Sequence, residues 1–129
     1  MALEQLEEVR VTNTTTGGQK GSKIARYDLI PWAQMQEVAK LYGKGAEKYD
    51  DHNWRKGFNW SLSEASLMRH YTAFMEGESI DDGPEGTGCH HLASVVWHAL
   101  TLMYFEQHYP ELDDRAVTIA VPHSSEASA

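Results

Sequence analysis

The residues best equipped for chemistry fall between Arg69 and His98, in the stretch R-H-Y-T-A-F-M-E-G-E-S-I-D-D-G-P-E-G-T-G-C-H-H-L-A-S-V-V-W-H. His70, Glu78, Asp81, His90, His91 and His98 are its main imidazoles and carboxylates. Such groups are the nitrogen and oxygen ligands of divalent cations, and both also serve as acids or bases. Glu78-x-x-Asp81 has the i, i+3 spacing that lets two ligands on a helix converge on one ion. Glu47–Asp50 and Glu111–Asp114 have the same spacing, so it is not specific by itself. Glu78–Asp81 stands apart because it closes one helical pattern beside a turn that returns His90 and His91. An antiparallel hairpin brings His91 opposite Met75, within reach of His70 and Glu78. The plainer alternative is a solvated acidic turn above core histidines. With Cys89 the single cysteine, a thiolate zinc site is excluded. Carboxylate-rich ligation suits Mg²⁺ or Mn²⁺.

A second concentration lies upstream, in G-K-G-A-E-K-Y-D-D-H-N-W-R-K-G-F-N-W. Here Lys44, Lys48, Arg55 and Lys56 alternate with aromatics, a combination that can grip phosphates and stack a base. Composition alone favours a loop anchored in the core by Trp54 and Trp60 with solvated charges around it.

The elements that must hold these groups are helical. Trp32, Met35, Val38 or Ala39, and Tyr42 recur at helical spacing after Pro31, and Gly43 and Gly45 should end that helix. A second helix is expected over about 62–75, capped by Ser61 or Ser63, with Leu67, Met68, Tyr71, Phe74 and Met75 as its buried stripe. A third, over about 88–108 and capped by Thr87, is apolar on nearly every side, as a central helix is. Residues 1–22 pass through T-N-T-T-T-G-G-Q-K-G-S, where Thr and Gly favour extended or flexible backbone. They read as an N-terminal arm before a helical domain at 23–109. The tail, 110–129, holds one short β-like run, Val117–Val121.

At 129 residues the chain suits one domain, and 41% hydrophobic with 23% charged residues is ordinary for a globular protein. A formal charge of −8 argues against nucleic acid and basic membrane-surface roles. No apolar run reaches membrane-spanning length and no signal peptide is evident, so a cytoplasmic setting is expected.

Six blocks taken in order carry a resemblance: R-Y-D-L-I-P-W (26–32), G-x-G-A-x-K-Y (43–49), N-W-R-K-G (53–57), R-H-Y-x-A-F (69–74), G-E-x-x-D (77–81) and T-G-x-x-H-L-A (87–93). Over about residues 17–107 the chain resembles the phage-associated dATP/dGTP diphosphohydrolases, which are MazG-like all-α nucleotide pyrophosphohydrolases. The resemblance implies an all-α fold of three to four main helices completed by oligomerisation, as homodimer or homotetramer. It implies Mg²⁺ or Mn²⁺ dependence and cleavage of dGTP or dATP to monophosphate and pyrophosphate, in the host cytoplasm if phage-encoded. On that reading Glu78, Asp81 and His91 hold metal, and Glu78, Asp81 and His70 form the catalytic set. Lys44, Lys48, Asn53, Arg55, Lys56 and Arg69 contact substrate, and Trp54 stacks on the purine. Ser94 and His98 stand where relatives often carry His and Asn, and the wider group's E-x-x-E…E-x-x-D signature is absent in its usual form. The alternative from another class is a non-catalytic nucleotide-binding or phage structural protein on the same fold.

Overall fold

A computed structural model of the chain describes residues 8–116; the β-like run Val117–Val121 lies outside the described residues. The backbone clusters into two compact units that divide after Trp32.

The first unit contains the departure from an all-α fold. Strands β1 (Glu8–Thr12) and β2 (Gln19–Lys23) pair antiparallel, with Glu8 opposite Lys23 and Thr12 opposite Gln19. The Thr- and Gly-rich stretch is the turn between them. Asn13 Oδ1 accepts from the backbone N–H of Thr15 and Thr16 at 2.9 and 2.8 Å, and Gly17 takes the left-handed φ of 79° that the reversal requires. Val9 and Val11 alternate with charged residues at the strand period, a signal too short to stand out beside the helical patterns. A 3-10 turn at Tyr27–Leu29 follows, with Arg26 paired to the Asp28 carboxylate through two hydrogen bonds.

The second unit is built from α1 (Trp32–Lys48), α2 (Trp60–Met75) and α3 (His91–His108), with 3-10 turns at Asn53–Lys56 and Pro110–Leu112. Helix α1 runs through both Gly43 and Gly45, closing only where Tyr49 N–H donates to the Gly45 carbonyl. Two glycines cost a helix about 1 kcal/mol each, which here is not enough to stop it. The consequence is that Lys44 and Lys48 stand one turn apart on the same face. Helix α3 starts later than its apolar pattern suggests. His90 is its cap, with Nδ1 accepting from Leu92 N–H at 3.0 Å, because Thr87 is engaged in the preceding turn.

Helices α2 and α3 pack antiparallel along a seven-residue repeat. On α3 the inward positions are His91, Ser94, His98, Thr101 and Phe105; on α2 they are Trp60, Ser63, Leu67, His70 and Phe74. Two contacts fix the register. His70 Nδ1 meets His91 Nδ1 at 2.9 Å, and seven residues along each helix Ser63 Oγ meets His98 Nδ1 at 3.0 Å. This differs from the expected stripe: Met68, Tyr71 and Met75 are 51%, 45% and 62% exposed. The reason is that polar residues, not the most apolar ones, occupy the seam, which turns the greasier face of α2 outward. The buried set accordingly mixes Val38, Trp60, Cys89, Ala93 and Phe105 with Ser63, His70, His91, Ser94 and Thr101. Among the described residues no helix is long and apolar enough to cross a membrane.

Candidate functional site

Buried polar groups carry a desolvation cost unless they are paired, so a seam lined with histidine and serine calls for a compensating ligand or network. At the turn end of the seam, one ligand atom each from His70, Asp81 and His91 lies within 4.8 Å of the others. His70 is 8% and His91 5% exposed. His91 Nε2 is buried without a hydrogen-bond partner, and its nearest charged neighbour is Glu78 Oε1 at 3.3 Å.

Helix geometry does not bring Glu78 and Asp81 here, as the i, i+3 spacing suggested. Gly77, at φ 103°, ends α2, and the chain then runs extended, with Ile80 bridged antiparallel to His90. Asp81 N–H donates to the Cys89 carbonyl and His91 N–H to the Ser79 carbonyl, so the turn is laced to the start of α3. Thr87 fixes the Asp81 carboxylate by donating to Oδ2 from both its N–H (3.0 Å) and its hydroxyl (3.1 Å). That leaves Oδ1 available. Gly86 has no substitute in this turn, since a Cβ there would stand 2.3 Å from the Asp81 carbonyl oxygen.

The electrostatics follow from burial and partners. Burial pushes the Asp81 carboxyl up, but the two Thr87 hydrogen bonds and the facing histidines outweigh it and hold the group below the usual carboxylate range. Burial lowers the His70 imidazole, opposed by Asp81 and assisted by His91 and Arg69. His98 is pushed down to about 4 by burial, then by His70 and Arg69.

A cleft of roughly 1100 Å³ opens beside this cluster, between α1 on one side and α2 with α3 on the other. Lys44, Lys48, Asn53, Trp54 and His70 line it, as do Thr87 and Gly86 of the acidic turn. The Lys44 ammonium lies 3.7 Å from where a Cβ on Gly88 would stand, so α1 directs a cation at the turn. Arg55 does not line the cleft. Its guanidinium lies over Trp54 and Tyr104, 5.1 and 5.5 Å from the ring centroids. Lys56 and Arg69 are exposed and also stand outside the lining, Arg69 reaching Ser66 Oγ at 3.4 Å.

Two residues of the cleft, Tyr42 and Trp97, were not legible as site residues. Tyr42, Trp54 and Trp97 form an aromatic wall with centroid separations of 5.8 to 6.3 Å, and Tyr104 meets Trp54 edge-on at 4.9 Å. Tyr42 and Trp97 look like core on helical periodicity. His98 lies between the wall and the cluster, 4.7 Å from Trp97 and 6.3 Å from His70 by ring centroids. His98 is one of the imidazoles singled out in the sequence, and its seven-residue spacing from His91 puts both on one face of α3.

No solved structure matches the chain. It is 30% identical over 98 residues to a protein of Salmonella phage PMBT28 called dATP/dGTP diphosphohydrolase, an alignment that covers 76% of this chain and 32% of that one. The chain thus spans about a third of the length of this curated relative. The family model described as "dATP/dGTP diphosphohydrolase, N-terminal" matches residues 14–115, a range that includes α1, α2, α3 and the whole of the cleft between them. The chain belongs to that family.

Proposed function

We propose that the protein hydrolyses a purine deoxynucleoside triphosphate, dGTP or dATP, between the α- and β-phosphates, with a divalent cation as cofactor. The observation that carries this reading is convergence: Lys44, Lys48 and the aromatic wall line one cleft together with His70, through which the His70–Asp81–His91 group adjoins it, while Asp81 and His91 themselves stand behind the lining.

The donor set fits a divalent cation. His91 Nε2 is an orphaned buried nitrogen, Asp81 keeps one oxygen free, and two ligand nitrogens stand together in a low-dielectric seam. His70, Asp81 and His91 would hold it, with Glu78 beside His91 Nε2 at the rim. Two imidazoles favour Mn²⁺ over Mg²⁺ in such a set. When bound, the ion neutralises phosphate charge and acidifies a coordinated water.

The chain's own residues do the rest. Lys44 and Lys48, a turn apart, meet the phosphates, and Lys44 is aimed at the turn that carries Asp81. Thr87 keeps the Asp81 carboxylate ionised and oriented. Tyr42, Trp54 and Trp97 offer the base aromatic surface, and Arg55 braces Trp54 and Tyr104 from behind. The acidic turn keeps the rest of the surface unattractive to polyanions, which suits a small triphosphate better than nucleic acid. The MazG-like bundle is completed by a second copy, as homodimer or homotetramer, across the exposed face that carries Met68, Tyr71 and Met75. A phage-encoded chain would act in the host cytoplasm.

The test is a product assay in ¹⁸O water. Purified protein is given Mn²⁺ or Mg²⁺ and a panel of nucleoside triphosphates. Pyrophosphate plus labelled monophosphate is expected. Label in pyrophosphate would move the attack to the β-phosphorus, and release of orthophosphate or of intact triphosphate would defeat the reading.

A further inference from the structure

We infer that His98 is the sugar-reading residue of the cleft, its Nε2 taking a hydrogen bond from or giving one to the 3′-hydroxyl of the bound nucleotide. This rests on the nucleotide reading above and adds the part of the substrate that reading leaves without a partner.

The argument is positional. His70, the member of the metal-ligand group that lines the cleft, and Lys44 define a phosphate end, and Tyr42, Trp54 and Trp97 define a base end. The sugar of a nucleotide spanning the two lies between them, where His98 stands with one ring neighbour on each side: His70 at 6.3 Å and Trp97 at 4.7 Å. The ring is anchored from below, because Nδ1 is bonded to Ser63 Oγ at 3.0 Å and Ser63 is fully buried. Among the described residues Nε2 has no partner. It is also not one of the sealed polar atoms, as His91 Nε2 is, so it is open to the cleft that His98 lines.

Chemistry narrows the ligand. The Ser63 bond can fix either tautomer, so Nε2 is either a donor or an acceptor. A phosphate oxygen could use only the donor form. A hydroxyl serves both, since it can donate and accept. On a 2′-deoxynucleoside triphosphate the 3′-hydroxyl is the one hydroxyl the sugar retains.

The experiment is a substrate-by-variant cycle on the full chain with Mn²⁺. We would compare kcat/KM for dGTP and for 2′,3′-dideoxy-GTP in the parent, His98→Ala and His98→Asn. The parent should favour dGTP about tenfold, the cost of leaving one hydrogen bond unmade. His98→Ala should bring the two substrates within twofold, and His98→Asn, whose amide can donate or accept, should restore part of the preference. If His98→Ala does not fold by circular dichroism, Ser63→Ala takes its place, and loss of the anchor must reduce the ratio. A parent that turns over both substrates equally overturns the sugar contact and leaves the nucleotide reading standing, as does a His98→Ala enzyme that keeps the full preference. No turnover of either substrate by the parent, with Mn²⁺ or Mg²⁺, removes both.

Discussion

The α2–α3 seam is one repeat built in two chemistries. At its far end Trp60 and Phe105 are 5% and 0% exposed, with Phe58 and Tyr109 edge-on to Phe105 at 4.9 and 5.8 Å. Every polar group there has a protein partner: Trp60 Nε1–H donates to the Tyr109 carbonyl at 3.1 Å and the Tyr109 hydroxyl donates to the Arg55 carbonyl at 2.7 Å. At the turn end the same positions hold His70, His91, Ser94, Ser63 and His98, and each of the three imidazoles spends only Nδ1 on a hydrogen bond within the described residues, His91 Nε2 being left buried without one. The difference teaches how the seam divides its tasks. One end supplies folding free energy from buried aromatic area, and the other gives some of that up to keep ligand atoms available.

The far end should therefore carry the largest stability effect. Phe105→Ala removes a fully buried ring with two aromatic neighbours and should cost about 3–5 kcal/mol, read from the urea midpoint. A cost below about 1 kcal/mol would mean that the far end is not the anchor.

The turn end should respond in the opposite way. Asp81→Asn keeps the shape and an oxygen for Thr87 but removes the charge, so Mn²⁺ affinity by calorimetry should fall at least about tenfold while the urea midpoint barely moves. Equal Mn²⁺ affinity in parent and variant would break the division between the two ends.

The comparison sharpens further among the cations. Lys44 is aimed at the turn and Arg55 lies behind the aromatic wall, so the two should not be equivalent. A charge-assisted phosphate bond is worth about 1.5–3 kcal/mol, so Lys44→Ala should raise KM about tenfold or more. Arg55→Ala should raise it less, through loosened packing of Trp54. Equal effects would show that the guanidinium swings into the cleft when substrate binds.

Much of this was legible in the sequence, and what was not has a physical cause. Helix periodicity located α2 and α3, and the His70/His91 meeting followed from folding them back on each other. The face of α2 that turns inward could not be read, because counting apolar residues selects Met68, Tyr71 and Met75 over Ser63 and His70. Periodicity has no term for a seam that keeps polar groups for a ligand. Glycine misled at α1, where helix continuation past Gly43 and Gly45 is what sets Lys44 and Lys48 on one face. Proximity of Glu78 and Asp81 was expected from a helix, and the extended strand after Gly77 delivers Asp81 by backbone pairing to Cys89 instead. The hairpin at 8–23 was hidden because five-residue strands of Val, Thr and charged residues carry little signal.

The smallest effect expected is on the pH dependence of stability, and it also separates the two ends. His70 and His98 are both held below the ordinary imidazole pKa, His98 at about 4, chiefly by burial. Each is therefore neutral when folded, while the unfolded chain takes up protons below about pH 6.5. The unfolded state then binds more protons, so stability falls as pH drops from about 6.5 toward 4 and is fully present above that window. The groups facing His98 are Ser63, His70, Trp97 and, at longer range, Arg69; with no carboxylate among its named influences, nothing there offsets the loss. Thermal unfolding of the full chain, with chelator present, should show the melting temperature decline across this range. His98→Gln, which keeps a polar group for Ser63 but cannot take up a proton, should flatten part of the decline and leave the plateau above pH 7 nearly unchanged. A variant whose melting temperature follows the parent's at every pH would assign the acid sensitivity to His70 and remove His98 from it.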